Sequence, residues 1–590
     1  MAAFAHHDDA QRQSPEMIHD HDHEKNMASG EQAVPSSDGD NESDTHKQNG
    51  VKNVEAVTVA WDKKMLWVTF VLLYLLTFAD SLLQSVQTNL TPYVTSSFGQ
   101  HALLATTPIV AGIVGGVSNL AIAKIIDIWG RVEGLVFMML LIVVGMIMKA
   151  TCTNVEMYAA AHVLYWVGHI GLLYIINIVV ADITTLKNRM IMFGINSTPT
   201  IASTFAGPAI AELFLNQSNF RWAFGAFCII LVAFSIPVWI IFFIGYRRAK
   251  AMGVVQKERS GRTVFQTIKH YVVEFDVVGM LLSIAGWSLL LLPFSIATYA
   301  PKGWASGYII AMIVLGVACL AAFAAWEKYF AKVPYFPWRF LTDRTILGSS
   351  LLYGIMFISI FTWDGYYQSY LQVVHDQSVT ISGYVLNSFS LASSFIGPFV
   401  GLAIRYTGRY KYISFTGIPF VTLGTVLLVH FRKPSTELGY LVMCQLFNGF
   451  GTGIWAICGQ LAVMSSVNHQ EIAVAMAIWS MFGSIGSSVG FAIAGGIWTN
   501  VFPGTLLKKL PADQKDMASL VYGSIDEQKA FPMGSPIREA TISAYAHVQR
   551  LMVIAGSCFI PLLLVCLLMW RNIDLNKRQK QSGQSKGNIW

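Results

Sequence analysis

The chain has 590 residues, 54% of them hydrophobic and 13% charged, with a mean hydropathy of +0.51 and a net charge of +6. A soluble domain carries about 25% charged residues, so this composition describes an integral membrane protein. The positive balance does not mark a nucleic-acid binder, because the basic residues sit in short stretches between apolar runs. The seven cysteines are scattered without a CxxC pair and read as small buried residues, not as a disulfide framework or metal site. No nucleophile–base set, phosphate loop or metal-ligand spacing stands out, which excludes an enzyme and implies no cofactor and no metal site.

In chain order, residues 1–62 are polar and too poor in apolar side chains to bury a core, so they are expected to be a disordered tail. The stretch His19–Glu24 (HDHDHE) has metal-binding residue types but reads as part of that solvated tail. The first apolar run starts near Met65, too late for a cleavable signal peptide. From there, runs of about 20 apolar residues, enough to cross a bilayer, begin near 65, 103, 132, 157, 189, 222, 276, 306, 345, 379, 411, 438, 471 and 548. The expected architecture is an all-α membrane protein with fourteen spans. Residues 63–245 form a six-helix half and 246–272 a basic loop. Residues 273–330 form two inserted helices, 331–570 a second six-helix half with a loop at 502–546, and 571–590 a tail.

Alternate loops carry unequal positive charge. One set holds Lys124, Arg131, Arg247, Arg248, Lys328, Arg339, Arg344, Arg405, Arg409 and Lys411; the short loops of the other hold only Lys149, Arg221, Lys302, Arg432 and Lys433, while the long segment 502–546 breaks the pattern with several lysines, as long loops translocate largely regardless of charge. Because basic loops stay on the cytoplasmic side, both termini are expected there, with 502–546 outside. The basic loop 246–272 is expected to lie on the inner, anionic surface of the lipid bilayer. Sequons at Asn89 and Asn216 fall on expected outer loops; a third, at Asn196, falls inside a span.

Two patterns recur along the chain. Asp80 and Gln84 sit four apart at the end of the first run, and Asp364 and Gln368 repeat that spacing 284 residues later. A spacing of four places each pair on one helix face. After span 2 stands Asp127, Gly130, Arg131; after span 10 stands Arg405, Gly408, Arg409, an offset of 278. Gly permits the tight bend, and Arg can bond helix-end carbonyls or a carboxylate on a neighbouring helix. These two turns are read as a conformational latch, one per half.

With these motifs the chain resembles the major facilitator superfamily, whose members place the substrate site between two related six-span halves. The first turn has Ala123 where that family commonly has Gly. The closer resemblance is to the fungal siderophore-iron transporters, a fourteen-span branch. It extends over about 65–570, on the stretches 361–390 (FTWDGYYQSYLQVVHDQSVTISGYVLNSFS), 405–412, 484–511 and 538–552. This resemblance implies proton-coupled uptake of a ferric siderophore, of hydroxamate type, across the plasma membrane, with protons and the lipid bilayer as the other partners. Other readings with a transporter fold stay open: a drug–proton antiporter, a glutathione–proton exchanger, or a nutrient transceptor.

Ionisable residues inside lipid are costly and mark function. Asp80, Asp364, Glu212 and His169 are therefore the candidates for proton handling. Asp80 and Asp364 stand about 24 and 30 Å along their helices, and both are expected to face a central cavity. His162, Trp166 and His169 share one face of span 4. Candidate cargo contacts are Gln84, Trp166, Trp363, Tyr366, Tyr367, Gln368, Tyr370, Gln445, Asn448 and Trp455, with Tyr522, Phe531 and Tyr545 on the long loop as a cover. Gly365 beside Asp364 is expected to interrupt the helix.

Overall fold

The computed structural model describes residues 62–183, 192, 195–251, 263–334, 336–467 and 471–573. The tail 1–61, residues 252–262 of the basic loop and residues 574–590 lie outside the described residues, as do the side chains of Asp127 and Arg405.

Within lipid every backbone polar group must bond internally, and a helix achieves this within one segment. The described residues are accordingly helical, without a strand. Thirteen helices among them are long and apolar enough to cross a membrane. Pro199–Gln217 takes the place of span 5, which is consistent with fourteen spans. Spans 1–6 are Lys63–Ser97, Thr106–Trp129, Arg131–Thr151, Val155–Ile183, Pro199–Gln217 and Phe220–Ala251. Spans 7 and 8 are Val277–Leu291 and Gly307–Tyr329. Span 9 is Arg344–Asp364 continued by Tyr367–Val374; span 10 is Val379–Thr407; span 11 is Tyr410–Phe415 with Gly417–Phe431. Span 12 is Leu438–Ser466, span 13 is Ile472–Lys509, and span 14 is Pro536–Ser557 continued by Ile560–Met569.

Several boundaries depart from expectation for local reasons. Span 1 runs on to Ser97, so the Asn89 sequon is not in a loop. Asn89 is buried and its amide donates to the Ser85 carbonyl at 2.8 Å. Asn196 is also buried, whereas Asn216 is exposed. Span 14 starts at Pro536 because Ser535 caps it and proline suits a first helical turn. The connecting segment is therefore 510–535, itself built of short helices, Ala512–Met517, Ala518–Gly523 and Ile525–Ala530. Span 9 does break beside Gly365: regular helix stops at Asp364 and resumes at Tyr367.

Lipid tails are as apolar as the helices, so the helices associate through close packing more than through a hydrophobic drive. Spans 9 and 13 show this closeness, since a Cβ on Gly486 would stand 2.2 Å from the Gly354 carbonyl oxygen. Spans 1, 3, 4, 5 and 6 share one core around Leu83, Met138, Tyr165 and Phe224. Spans 9 to 14 share another around Trp363, Tyr367, Trp498 and Met552. The halves meet where Ile113 and Val117 of span 2 pack with Ile478 and Met481 of span 13, and where span 5 meets span 10. Spans 7 and 8 pack on each other beside spans 2 and 13, and leave Ile310, Val314 and Leu315 of span 8 exposed as a lipid-facing side.

Candidate functional site

Between the halves lies a cavity of about 390 Å³. Span 1 contributes Ser81, Gln84, Gln87, Thr88 and Thr91; span 4 contributes His162 and Trp166; span 5 contributes Thr200, Ser203 and Thr204. From the second half come Phe361, Trp363, Asp364, Tyr366 and Gln368 of span 9, and Asn387 and Ser390 of span 10. Apolar ring faces with a few convergent hydroxyls, amides and one carboxylate suit an amphipathic, uncharged or weakly charged ligand. The volume is near the low end for ligand pockets, about 300–1,000 Å³, so a bulky cargo requires the halves to part.

Of the residues singled out in the sequence, the cavity brings together Gln84, Trp166, Trp363, Asp364, Tyr366 and Gln368. Asp80 is not among its walls. It is fully buried behind them, where His169 Nδ1 bonds its carboxylate at 3.0 Å. The reason is helical phase: Asp80 and Gln84 are one turn apart, and the face they share is wide enough for one to meet span 4 while the other meets the cavity. Glu212 also lies elsewhere, accepting a bond from the Thr380 backbone N–H at 2.7 Å and so joining span 5 to the start of span 10. Asn448 and Trp455 face inward within the second half. Asn448 accepts from Thr425 at 2.8 Å, and the Trp455 indole N–H donates to the Ser414 carbonyl at 2.8 Å. Gln445 is buried, and neither of its side-chain polar atoms has a partner among the described residues. Tyr367 and Tyr370 are buried in the same half, away from the cavity walls.

The structure also exposes two residues that loop counting misplaced. Lys149 and Arg432 end spans 3 and 11, and both turn inward, at 0% and 2% exposure. Lys149 Nζ donates to Gln87 Oε1 and, at 2.9 Å, to His162 Nδ1, and it stands 4.0 Å from the Tyr165 ring centroid. Arg432 lies 3.8 Å from the Tyr367 ring centroid. It donates to the Gln549 side-chain oxygen at 2.9 Å and to the Trp363 carbonyl at 2.5 Å, which is the carbonyl set free where span 9 breaks. A signal was present in the sequence: the two cations are 283 residues apart, as are His162 and Gln445, close to the Asp80–Asp364 offset.

One end of the cavity is closed by bonds between the halves. The Gln368 amide donates to Asn89 Oδ1 at 2.8 Å, Tyr93 bonds Gln372, and the Tyr366 hydroxyl donates to the Ala102 carbonyl at 2.7 Å. The segment 510–535 lies over the same end, where the Ile525 N–H donates to Ser96 Oγ at 3.0 Å. Buried Arg538 holds that segment by donating to the Gln528 carbonyl at 2.7 Å, and it bonds Asp376 at 3.2 Å. Tyr545 donates to Gln528 Oε1 at 2.8 Å; Tyr522 packs on Phe502, and Phe531 is half-buried in the same layer. Burial pushes the Asp526 carboxyl above its ordinary range and the His375 imidazole below its own.

At the opposite end the two glycine–arginine turns differ. Gly130 and Gly408 both take positive φ, +117° and +66°, which favours glycine. Arg131 is buried, donating to Asp182 at 3.2 Å and to the Ile126 carbonyl at 3.3 Å. Arg409 is exposed, with no side-chain partner among the described residues. Among the described residues, an arginine that bonds both a carboxylate and a helix-end carbonyl is thus found at the first turn and not at the second.

Two six-helix halves, joined by an inserted pair and enclosing a polar cavity closed at one end, define a transporter of the major facilitator type. Solved structures agree on the fold. A peptide transporter of the POT family in complex with sulfate matches at a TM-score of 0.52 and 15% identity, over 85% of this chain and 99% of that one. A bacterial homologue of the human lysosomal transporter Spinster, inward-facing and unoccupied, matches at 0.51 and 14%, over 86% and 98%. The Major Facilitator Superfamily profile matches residues 73–372 and 349–505. Among curated proteins, an "MFS siderochrome iron transporter 1" of Ajellomyces capsulatus is 51% identical over 96% of this chain and 98% of its own length. A "siderophore iron transporter" of Emericella nidulans is 40% identical over 96% and 92%. The chain belongs to the fungal siderophore-iron transporters of the major facilitator superfamily.

Proposed function

We propose that the chain imports a ferric siderophore of hydroxamate type across the plasma membrane by alternating access of its central cavity, driven by protons moving in the same direction. The observation that carries this is the cavity itself, polar and aromatic and closed at one end by separable hydrogen bonds between the halves, in a chain half identical to a siderochrome iron transporter over nearly its whole length. Gln84, Trp166, Trp363, Tyr366 and Gln368 are the cargo contacts. Asp364 on the wall and the Asp80–His169 pair behind it are the proton-handling groups. Glu212, Asn89, Gln368 and Tyr93 close the outer side, under the cover of 510–535. Arg131 with Asp182 holds the inner side in one of its two states.

Charge supports the orientation. Lys63, Lys124, Arg247, Arg248, Lys328, Arg344 and Lys411 gather at the end where the described residues begin, at 62, and stop, at 573. Burial of Lys149 and Arg432 leaves the opposite end with still fewer exposed cations than the loops implied.

The test is uptake by iron-starved cells that lack other siderophore carriers, given iron-loaded and iron-free hydroxamates, a catecholate, cationic drugs and glutathione. Uptake of iron-loaded hydroxamates alone is expected. Efflux of drugs or of glutathione, with no ferric siderophore uptake, would overturn the reading.

A further inference from the structure

His162 forms part of the cavity wall, yet one of its two ring nitrogens is already committed behind that wall. Lys149 Nζ stands 2.9 Å from Nδ1. The same nitrogen of Lys149 bonds Gln87 Oε1 and lies over the Tyr165 ring, with Tyr158 and Phe224 each 5.6 Å from it. An ammonium has three N–H groups and no acceptor. Two are taken by Gln87 and His162 and the third meets a ring face, an arrangement that holds a cation without a carboxylate. Nδ1 of His162 must therefore accept, which leaves the ring proton on Nε2. Nε2 has no partner among the described residues.

We propose that Lys149 is a positioning residue: it keeps His162 as a neutral imidazole whose Nε2–H is a fixed donor, facing the cavity, to an oxygen acceptor of the cargo. Hydroxamate and amide carbonyl oxygens have that chemistry. The inference rests on the siderophore reading above and adds a specificity element to it.

Lys149 is the charged neighbour of Nδ1; the Gln87 amide nitrogen also stands 3.3 Å from it. Span 3 also brings Cys152, which donates to the Lys149 carbonyl. Span 4 brings Tyr158 and Tyr165, stacked on the imidazole at 6.2 and 6.0 Å, and His169. Span 1 brings Gln87 and, about two turns below, Asp80, which His169 already engages. Span 6 brings Arg221, whose guanidinium bonds the Ala150 carbonyl. A positive charge donating to Nδ1 opposes a second proton on the ring. Without that charge, burial of the ring is the remaining obstacle to a second proton. The repeat sharpens the point. In the second half Arg432 occupies the matching position, but its counterpart of His162 is Gln445, which it does not bond, so the cation–imidazole pair is peculiar to the first half.

The test is equilibrium binding of ferric ferrichrome, a neutral trihydroxamate, to the purified full-length protein from pH 5 to pH 8. Tryptophan quenching reads the Kd, and each variant is referred to wild type at the same pH. His162→Ala weakens binding ~5–10-fold at every pH, the loss of one donor, while His162→Gln, whose amide replaces Nε2–H, stays within about 3-fold. Lys149→Met is within about 3-fold at pH 8. At pH 5 it binds ~5–10-fold more tightly than wild type, because an imidazolium donates a charge-assisted bond. Lys149→Gln, whose uncharged amide can turn its oxygen to an Nδ1–H, shows the same response. Adding His162→Gln to either variant abolishes it. A pH-independent ratio for both Lys149 variants, or a pH response that survives His162→Gln, overturns the inference alone. A wild-type protein that binds no ferric siderophore overturns the transport reading and, with it, the acceptor proposed here.

Discussion

Asp80→Asn separates a coupling role from a structural one. The Asp80 carboxylate is fully buried, and His169 Nδ1 is its hydrogen-bond partner at 3.0 Å. A hydrogen bond to a charged group contributes about 1.5–3 kcal/mol and a neutral one about 0.5–1.5 kcal/mol. Asn keeps a carbonyl oxygen facing the same N–H, so the substitution costs the difference, about 1–1.5 kcal/mol. Removing one partner of a buried pair outright costs more, about 3–5 kcal/mol. The protein stays folded, and its melting temperature in detergent drops by a few degrees, at ~2–4 °C per kcal/mol for a mid-sized domain. Transport suffers far more, because no titratable group remains at position 80. Accumulation of ferric siderophore against an imposed pH gradient is expected to fall at least ~10-fold. Exchange of labelled for unlabelled cargo at equal pH is expected to stay within about 2-fold. Both are read in vesicles with equal amounts of each protein. Normal gradient-driven accumulation in Asp80→Asn refutes the coupling role. Exchange lost in step with accumulation refutes it too, since that marks a structural fault.

Three further outcomes follow from the geometry. Arg131→Ala, which removes the bonds to Asp182 and the Ile126 carbonyl, is expected to slow turnover ~10-fold with little change in KM, whereas Arg409→Ala, at an exposed side chain with no partner among the described residues, stays within about 2-fold; initial rates normalised to surface protein decide. Arg538→Ala releases the carbonyls of Gln528 and Phe531 and the Asp376 carboxylate; at about 1.5–3 kcal/mol for a charged bond it loosens 510–535, and KM for ferric siderophore is expected to rise ~10-fold, with faster protease cleavage in that segment. An epitope inserted within Ala512–Met517 is expected to bind antibody on intact cells, while one at the amino-terminal end binds only after permeabilisation; the reverse pattern inverts the proposed orientation.

The fold was legible because a bilayer permits few solutions. Long apolar runs had to be helices, and two offsets near 280 residues, at Asp80–Asp364 and at the glycine–arginine turns, reported the duplication. At the site, Gln84, Trp166, Asp364 and Gln368, singled out in the sequence, line the cavity from spans 1, 4 and 9, where a polar group interrupts an apolar face. Span 12 misled, since Asn448 and Trp455 are polar for internal reasons, one tying Thr425 and the other capping the Ser414 carbonyl. Lys149 and Arg432 were missed because a cation at the edge of an apolar run reads as a loop residue. Whether its side chain turns out to water or back among aromatic rings depends on tertiary packing that periodicity does not contain. The ends of spans 1 and 14 were missed for the related reason that helix continues past the apolar stretch, through Asn89 in one case and from Ser535 in the other.

The direction of coupling is the central claim, and paired fluxes test it most directly. The purified protein is reconstituted into liposomes that trap a pH-sensitive dye, and ferric ferrichrome is added outside with no initial pH difference. The account predicts that cargo entry acidifies the lumen, with protons and ferric siderophore moving together, and that the acidification disappears in Asp80→Asn. Cargo entry that makes the lumen alkaline, or that leaves its pH unchanged, would contradict it.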